Sequence, residues 1–190
     1  MWESPWLQAS VAFLAALIVG SFLEYVVHRL MHARIFLGNK HTEHHADGWG
    51  QGWLGEFWDY FSGGLAVIWV GFLISLPIGI GWAVGCFIYA CCAAYAHQLQ
   101  HEHPERVFWM KRPVHYLHHA HNMWRHNFGI TIDIWDRIFG TYRAEEWNPE
   151  RSEKWSLRQY FQIRWIKGPS EEEIQSGKSH TAKEARNVSK

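Results

Sequence analysis

With 190 residues, 18 basic and 18 acidic side chains and no formal net charge, the chain has room for one domain and lacks the strongly basic balance of a nucleic-acid binder. No Asp, Glu, Lys or Arg occurs between Asp59 and Glu102, a run far longer than the buried helix of a soluble domain requires. The charge totals therefore average two environments, and the sequence reads as an all-α, integral membrane protein.

The first predicted element is the apolar run Trp6 to Leu23, about 27 Å long as a helix against a hydrocarbon core of about 30 Å. Met1 to Trp6 holds no basic residue, and Leu23 passes straight into Glu24 and His28, so this run reads as a retained span rather than a leader. The apolar block from Tyr60 to Ala96 is about twice as long as one crossing needs. Pro77, Gly79 and Gly81 interrupt it and predict two crossings joined by a tight hairpin, three spans in all. Cys86, Cys91 and Cys92 all lie in this block, where they act as small apolar residues rather than a disulfide framework.

Arg29, Arg34 and Lys40 follow the first span and Arg106, Lys111, Arg112 and Arg125 the last, while the hairpin has no basic residue. This asymmetry predicts a multi-pass protein whose two histidine-bearing regions face the cytoplasm. Trp2, Trp6, Trp49, Trp53, Trp58 and Trp109 fall near the predicted boundaries, where an indole keeps one apolar and one wet side; Trp69 and Trp82 read as lipid-facing or packed. Between Arg151 and Lys167, Leu157, Tyr160, Phe161 and Trp165 recur at near-helical spacing and predict an interfacial helix. Residues 1–167 thus form the functional unit, and Gly168 to Lys190, polar and carrying Glu171, Glu172 and Glu173, reads as a disordered tail. Gly50 to Gly55 fits a dinucleotide-binding string but follows no strand. Asn187-Val188-Ser189 would lie in the cytoplasm and stay unglycosylated.

Thirteen of the 14 histidines fall between His28 and His126. His28 and His32 form an i, i+4 pair after the first span, and His97 and His101 another after the last, so each pair shares one helix face. A triplet at i, i+3, i+4 follows each: His41, His44 and His45, then His115, His118 and His119. Pro113 is placed to open a helix carrying the second triplet. Ten imidazoles exceed what one ion accepts, about four for structural zinc and about six for octahedral iron, so the count favours two adjacent metals. Nitrogen donors alone do not choose among iron, zinc and other divalent ions. A proton relay or a haem set would not call for ten imidazoles in repeated spacing, and His101-Glu102-His103 lacks the spacing of a metalloprotease motif. Outside the motifs, His103, His121 and His126 read as supporting or packed residues. Glu24, Glu43 and Glu102 read equally as carboxylates that orient imidazoles or as surface charges. Asp133 and Asp136 read as helix caps or salt-bridge partners.

The order HxxxH, HxxHH, HxxxH, HxxHH, with Asn127-Phe128-Gly129 and Trp135 to Tyr142, resembles the fatty acid hydroxylase and sterol desaturase superfamily from Glu24 to Tyr142. The segment Glu24 to His45 is also similar to the carotenoid ring hydroxylases. The resemblance implies a membrane enzyme with two iron ions held by the ten motif histidines, using dioxygen and an external electron donor to hydroxylate a C–H bond of a fatty acyl or sterol-like lipid. Desaturation or carotenoid ring hydroxylation at the same centre is the alternative it leaves, and a non-enzymatic membrane metal-binding protein is the other.

Overall fold

A computed structural model describes residues 4–48, 50–148 and 155–167, and among these every regular element is helical. Two long helices set the frame: α1, Pro5–His32, and α4, Leu76–Glu102. Pro5 starts the first, where a missing N–H costs nothing. Ser75 caps the second, its side chain accepting from the Ile78 amide at 3.4 Å, with Pro77 in the first turn. At 28 and 27 residues both are long and apolar enough to cross a bilayer.

The two helices run parallel in close contact, because their shared face is built from small residues. A side chain on Gly81 would collide with the Ala9 backbone, and one on Gly85 with Phe13 and Ala16; Ala12 and Ala16 of α1 are buried. Close approach of this kind is how apolar helices gain packing energy where lipid removes the hydrophobic drive. Running parallel places the C-terminal turns of both helices, and so both histidine pairs, at one end of the bundle.

The expected three spans are corrected here. Between the first histidine region and Pro77 the chain forms a short helix, α3, Trp53–Gly64, then turns and a single 3-10 turn, Val70–Leu73. Twelve helical residues reach only about 18 Å, so among the described residues just two helices have the length of a span. Gly63 and Gly64 close α3, where two residues of poor helix propensity meet. The broken leg still follows α4 downward: Trp53 Nε1 donates to Cys91 O at 3.3 Å, and Gly71 abuts Gly79 and Trp82.

Above the bundle, α2 (Gly38–Asp47) and α5 (Val114–Ala120) carry the two triplets, with Pro113 immediately before α5 as its sequence predicts. A loop from Asn127 leads to the one-turn helix α6, Ile134–Ile138. Leu99, Val107, Met110, Val114 and Ile163 make a core at this end, flanked by Trp53, Tyr95, Trp109 and Tyr142. The expected interfacial helix is a second correction: only α7, Leu157–Tyr160, is helical there. The chain from Tyr160 onward docks on the protein, Trp53 N donating to Arg164 O at 2.9 Å and Tyr95 Oη to Tyr160 O at 2.9 Å. Trp2, Trp49, Arg151 and the tail from Gly168 to Lys190 lie outside the described residues.

Candidate metal centre

The ten motif histidines meet at one end of the bundle, and nine of them form two groups. His28, His32, His41, His45 and His118 make the first, and His44, His101, His115 and His119 the second, each with one ring nitrogen per residue within 4.8 Å of the others. Each triplet is divided between the groups. Its i and i+4 members stay together while the i+3 member crosses over, because positions 3 and 4 ahead lie on opposite sides of the first. His41 and His45 thus join the first pair and His44 the second; His115 and His119 join the second pair and His118 the first. His97 completes this pseudo-symmetry: its ring centroid lies 4.5 Å from that of His115, 4.7 Å from His101 and 5.1 Å from His44. The groups touch where His45 stacks on His119 at 4.0 Å.

The nitrogens approach too closely for imidazoles that merely pack. His32 Nε2 lies 2.8 Å from His41 Nε2, 3.2 Å from His45 Nε2 and 2.8 Å from His118 Nε2. One ring N–H can satisfy only one such contact, which leaves lone pairs facing one another. Adjacent nitrogens around an octahedral ion with bonds of about 2.1 Å would be about 3.0 Å apart, so the donor set fits a cation. Buried ring nitrogens without hydrogen-bond partners, His28 Nε2, His44 Nε2 and His119 Nε2 among them, fit the same reading. Burial is the largest cause holding these imidazoles neutral, the form that ligates. It pushes His41 down to about 2, His44 and His118 to about 3 and His45 to about 4, and it holds His115 and His119 well below the ordinary value. The pairs also end α1 and α4, where the partial negative charge of a helix C-terminus favours a cation.

The outer partners fix which nitrogen faces inward. A carbonyl only accepts, so His28 Nδ1 donates to Phe128 O at 2.6 Å and His118 Nδ1 to His126 O at 2.7 Å, turning each Nε2 toward the centre. His97 Nδ1 lies 2.7 Å from Glu56 Oε2. Burial works to raise the Glu56 pKa, but His97 and the Gln51 amide outweigh it and the net shift is downward.

The carboxylates differ from the sequence expectation. Glu24 holds backbone, accepting from the Ile130 and Thr131 amides at 2.9 and 3.0 Å and from Tyr89 Oη at 2.7 Å. Glu102 accepts from Arg164 N at 2.7 Å, and Glu43 is exposed. Asp133 pairs with Arg137 at 2.7 Å as expected. Asp136 does not cap or pair: fully buried, it accepts from the Phe128 and Gly129 amides at 2.9 and 2.7 Å and from Thr141 Oγ1 at 2.6 Å. It thereby sets the loop whose carbonyl orients His28. Of the three spare histidines, His126 supports the centre through its carbonyl, His121 is exposed and His103 faces Glu105 at 3.4 Å. Sequence reasoning missed Glu56 and also Gln100, which accepts from His115 N at 3.0 Å and donates to Ile130 O at 2.7 Å. A buried amide beside His101 in an apolar helix was the available signal.

Beneath the histidines a cavity of about 530 Å³ opens between α1, α3 and α4. His28, His41, His44, His97 and His115 form its head, and Ala16, Val67 and Trp82 lie deep in the bundle. The walls are chiefly apolar, as a lipid chain requires.

A membrane bundle of apolar helices that ends in two buried imidazole groups over an apolar cavity defines the class: a histidine-cluster membrane metalloenzyme. Residues 13–141 match the family model described as fatty acid hydroxylase. The match covers most of the chain, which belongs to the fatty acid hydroxylase family and is an oxidoreductase acting on lipid with oxygen-dependent, metal-dependent chemistry. No curated protein and no solved structure matches it significantly.

Proposed function

We propose that the protein is a di-iron hydroxylase that inserts an oxygen atom from dioxygen into a C–H bond of a fatty acyl or sterol-like chain. The observation that carries the reading is the continuity between the two histidine groups and the apolar cavity, whose head is formed by five of the ten histidines. His28, His32, His41, His45 and His118 would hold one ion, and His44, His97, His101, His115 and His119 the other. When bound, an iron pair supplies dioxygen reduction and hydrogen abstraction.

The chain's own residues do the rest. Phe128 O, His126 O and Glu56 fix the rings before any metal arrives, so little reorganisation accompanies binding. The apolar walls exclude water and seat an unreactive chain against the histidine head. The basic residues after α1 and α4 support a cytoplasmic orientation for this end, where an external electron donor would deliver its electrons.

Mass spectrometry of lipids and pigments from cells expressing the protein or its His118→Ala variant tests the reading. A lipid one oxygen heavier, present with the protein and absent with the variant, is expected. The same product with both proteins, or with neither, rejects it.

A further inference from the structure

Apart from the histidines at its head, the cavity is apolar except for a few polar side chains, and nearly all of these are already engaged. Lys40 Nζ pairs with Asp59 at 2.9 Å, and Gln51 Nε2 donates to the same carboxylate at 2.9 Å. Ser62 Oγ donates to Asp59 O at 3.1 Å, and Trp82 Nε1 to Val67 O at 2.8 Å. On the wall formed by α1 and α4, Tyr89 Oη donates to Glu24, whose other oxygen is filled by Ile130 and Thr131. Glu56 holds His97.

Tyr60 is the exception. It lines the same cavity one turn beyond Glu56, with its ring 6.5 Å from that of His97, and its hydroxyl has no hydrogen-bond partner among the described residues. A phenol that faces the cavity without a protein partner is open to a hydrogen bond with a bound molecule.

We propose that Tyr60 is a substrate-anchoring residue, its hydroxyl donating to an oxygen of the lipid, so that the substrate is a long-chain alcohol or carbonyl compound and not a bare hydrocarbon chain. Seated this way, the substrate's existing oxygen lies in the part of the cavity that Tyr60 shares with the histidines, and the bond oxidised is close to that oxygen rather than at the far end of the chain. This names the substrate class of the site and rests on the lipid-oxygenase reading, yet its test needs no turnover.

The test is equilibrium binding of radiolabelled 1-hexadecanol and of hexadecane to the metal-loaded protein in saturated phosphatidylcholine nanodiscs. Tyr60→Phe keeps the ring and removes only the donor. It should weaken hexadecanol binding about 3- to 10-fold, the worth of one such bond, and leave hexadecane unchanged. Gly63→Leu, at a position where an added side chain meets nothing within 4 Å and which lines the cavity, should weaken both probes. Hexadecanol binding that is unchanged in Tyr60→Phe, or unchanged in Gly63→Leu, overturns the proposal. Because binding is read without catalysis, loss of the Tyr60 effect is distinct from failure to find an oxidised lipid.

Discussion

Glu56 Oε2 and His97 Nδ1 lie 2.7 Å apart with both side chains almost wholly buried. The contact joins α3, a broken leg, to α4, a long helix, and it holds the one motif histidine that falls outside the two tight groups. Glu56→Ala should therefore free the His97 ring and weaken metal binding at the second group about 10- to 100-fold. Metal analysis after dialysis against a weak chelator should show the second group losing its ion while the first keeps its own; equal loss from both, or from neither, would contradict the assigned role.

Asp136 acts at a distance. It fixes the Phe128 and Gly129 amides, and Phe128 O in turn receives His28 Nδ1. Asp136→Ala leaves two buried amides without an acceptor, a cost of about 1–3 kcal/mol for each such group. Thermal unfolding in detergent should show a clearly lowered midpoint together with reduced metal retention. An unchanged midpoint would mean that this loop is held by other contacts.

The histidine pairs meet only because α1 and α4 approach closely. Gly81→Leu places a side chain against the Ala9 backbone, and overpacking of this kind costs about 1–3 kcal/mol. The variant should be less stable and should bind less metal, although position 81 is remote from the histidines. Normal metal content in a folded Gly81→Leu protein would show that the centre does not depend on this seam.

Much of this was legible in the sequence. The repeated pair-and-triplet spacing marked all ten histidines, and Pro113 marked the start of α5, because helix periodicity acts over a few residues. The division of each triplet between two groups was not legible, since it depends on how α2 and α5 lie across the bundle. Glu24 and Asp136 looked like local partners of neighbouring side chains, whereas each reaches a loop more distant in sequence or folded back on itself. Counting apolar residues between Tyr60 and Pro77 gave a span; Gly63 and Gly64 end the helix early, and hydropathy does not register that.

Acid should unfold the metal-free protein through the same imidazoles. His41, His44, His45 and His118 are held at about 2 to 4 in the folded chain, against about 6.5 when unfolded. Below that value the unfolded state binds more protons, so stability is greatest above it and declines as pH falls. Chelator-stripped protein should therefore have a lower unfolding midpoint at about pH 5 than at about pH 7.5. Equal midpoints would show that these rings are not buried and neutral.

Metal stoichiometry in the purified, iron-reconstituted protein tests the central claim most directly. Two ions per chain are expected, falling to one in His118→Ala, which opens the first group, and to one in His115→Ala, which opens the second. A single ion in the unaltered protein, or two retained in both variants, would contradict a paired centre built from these histidines.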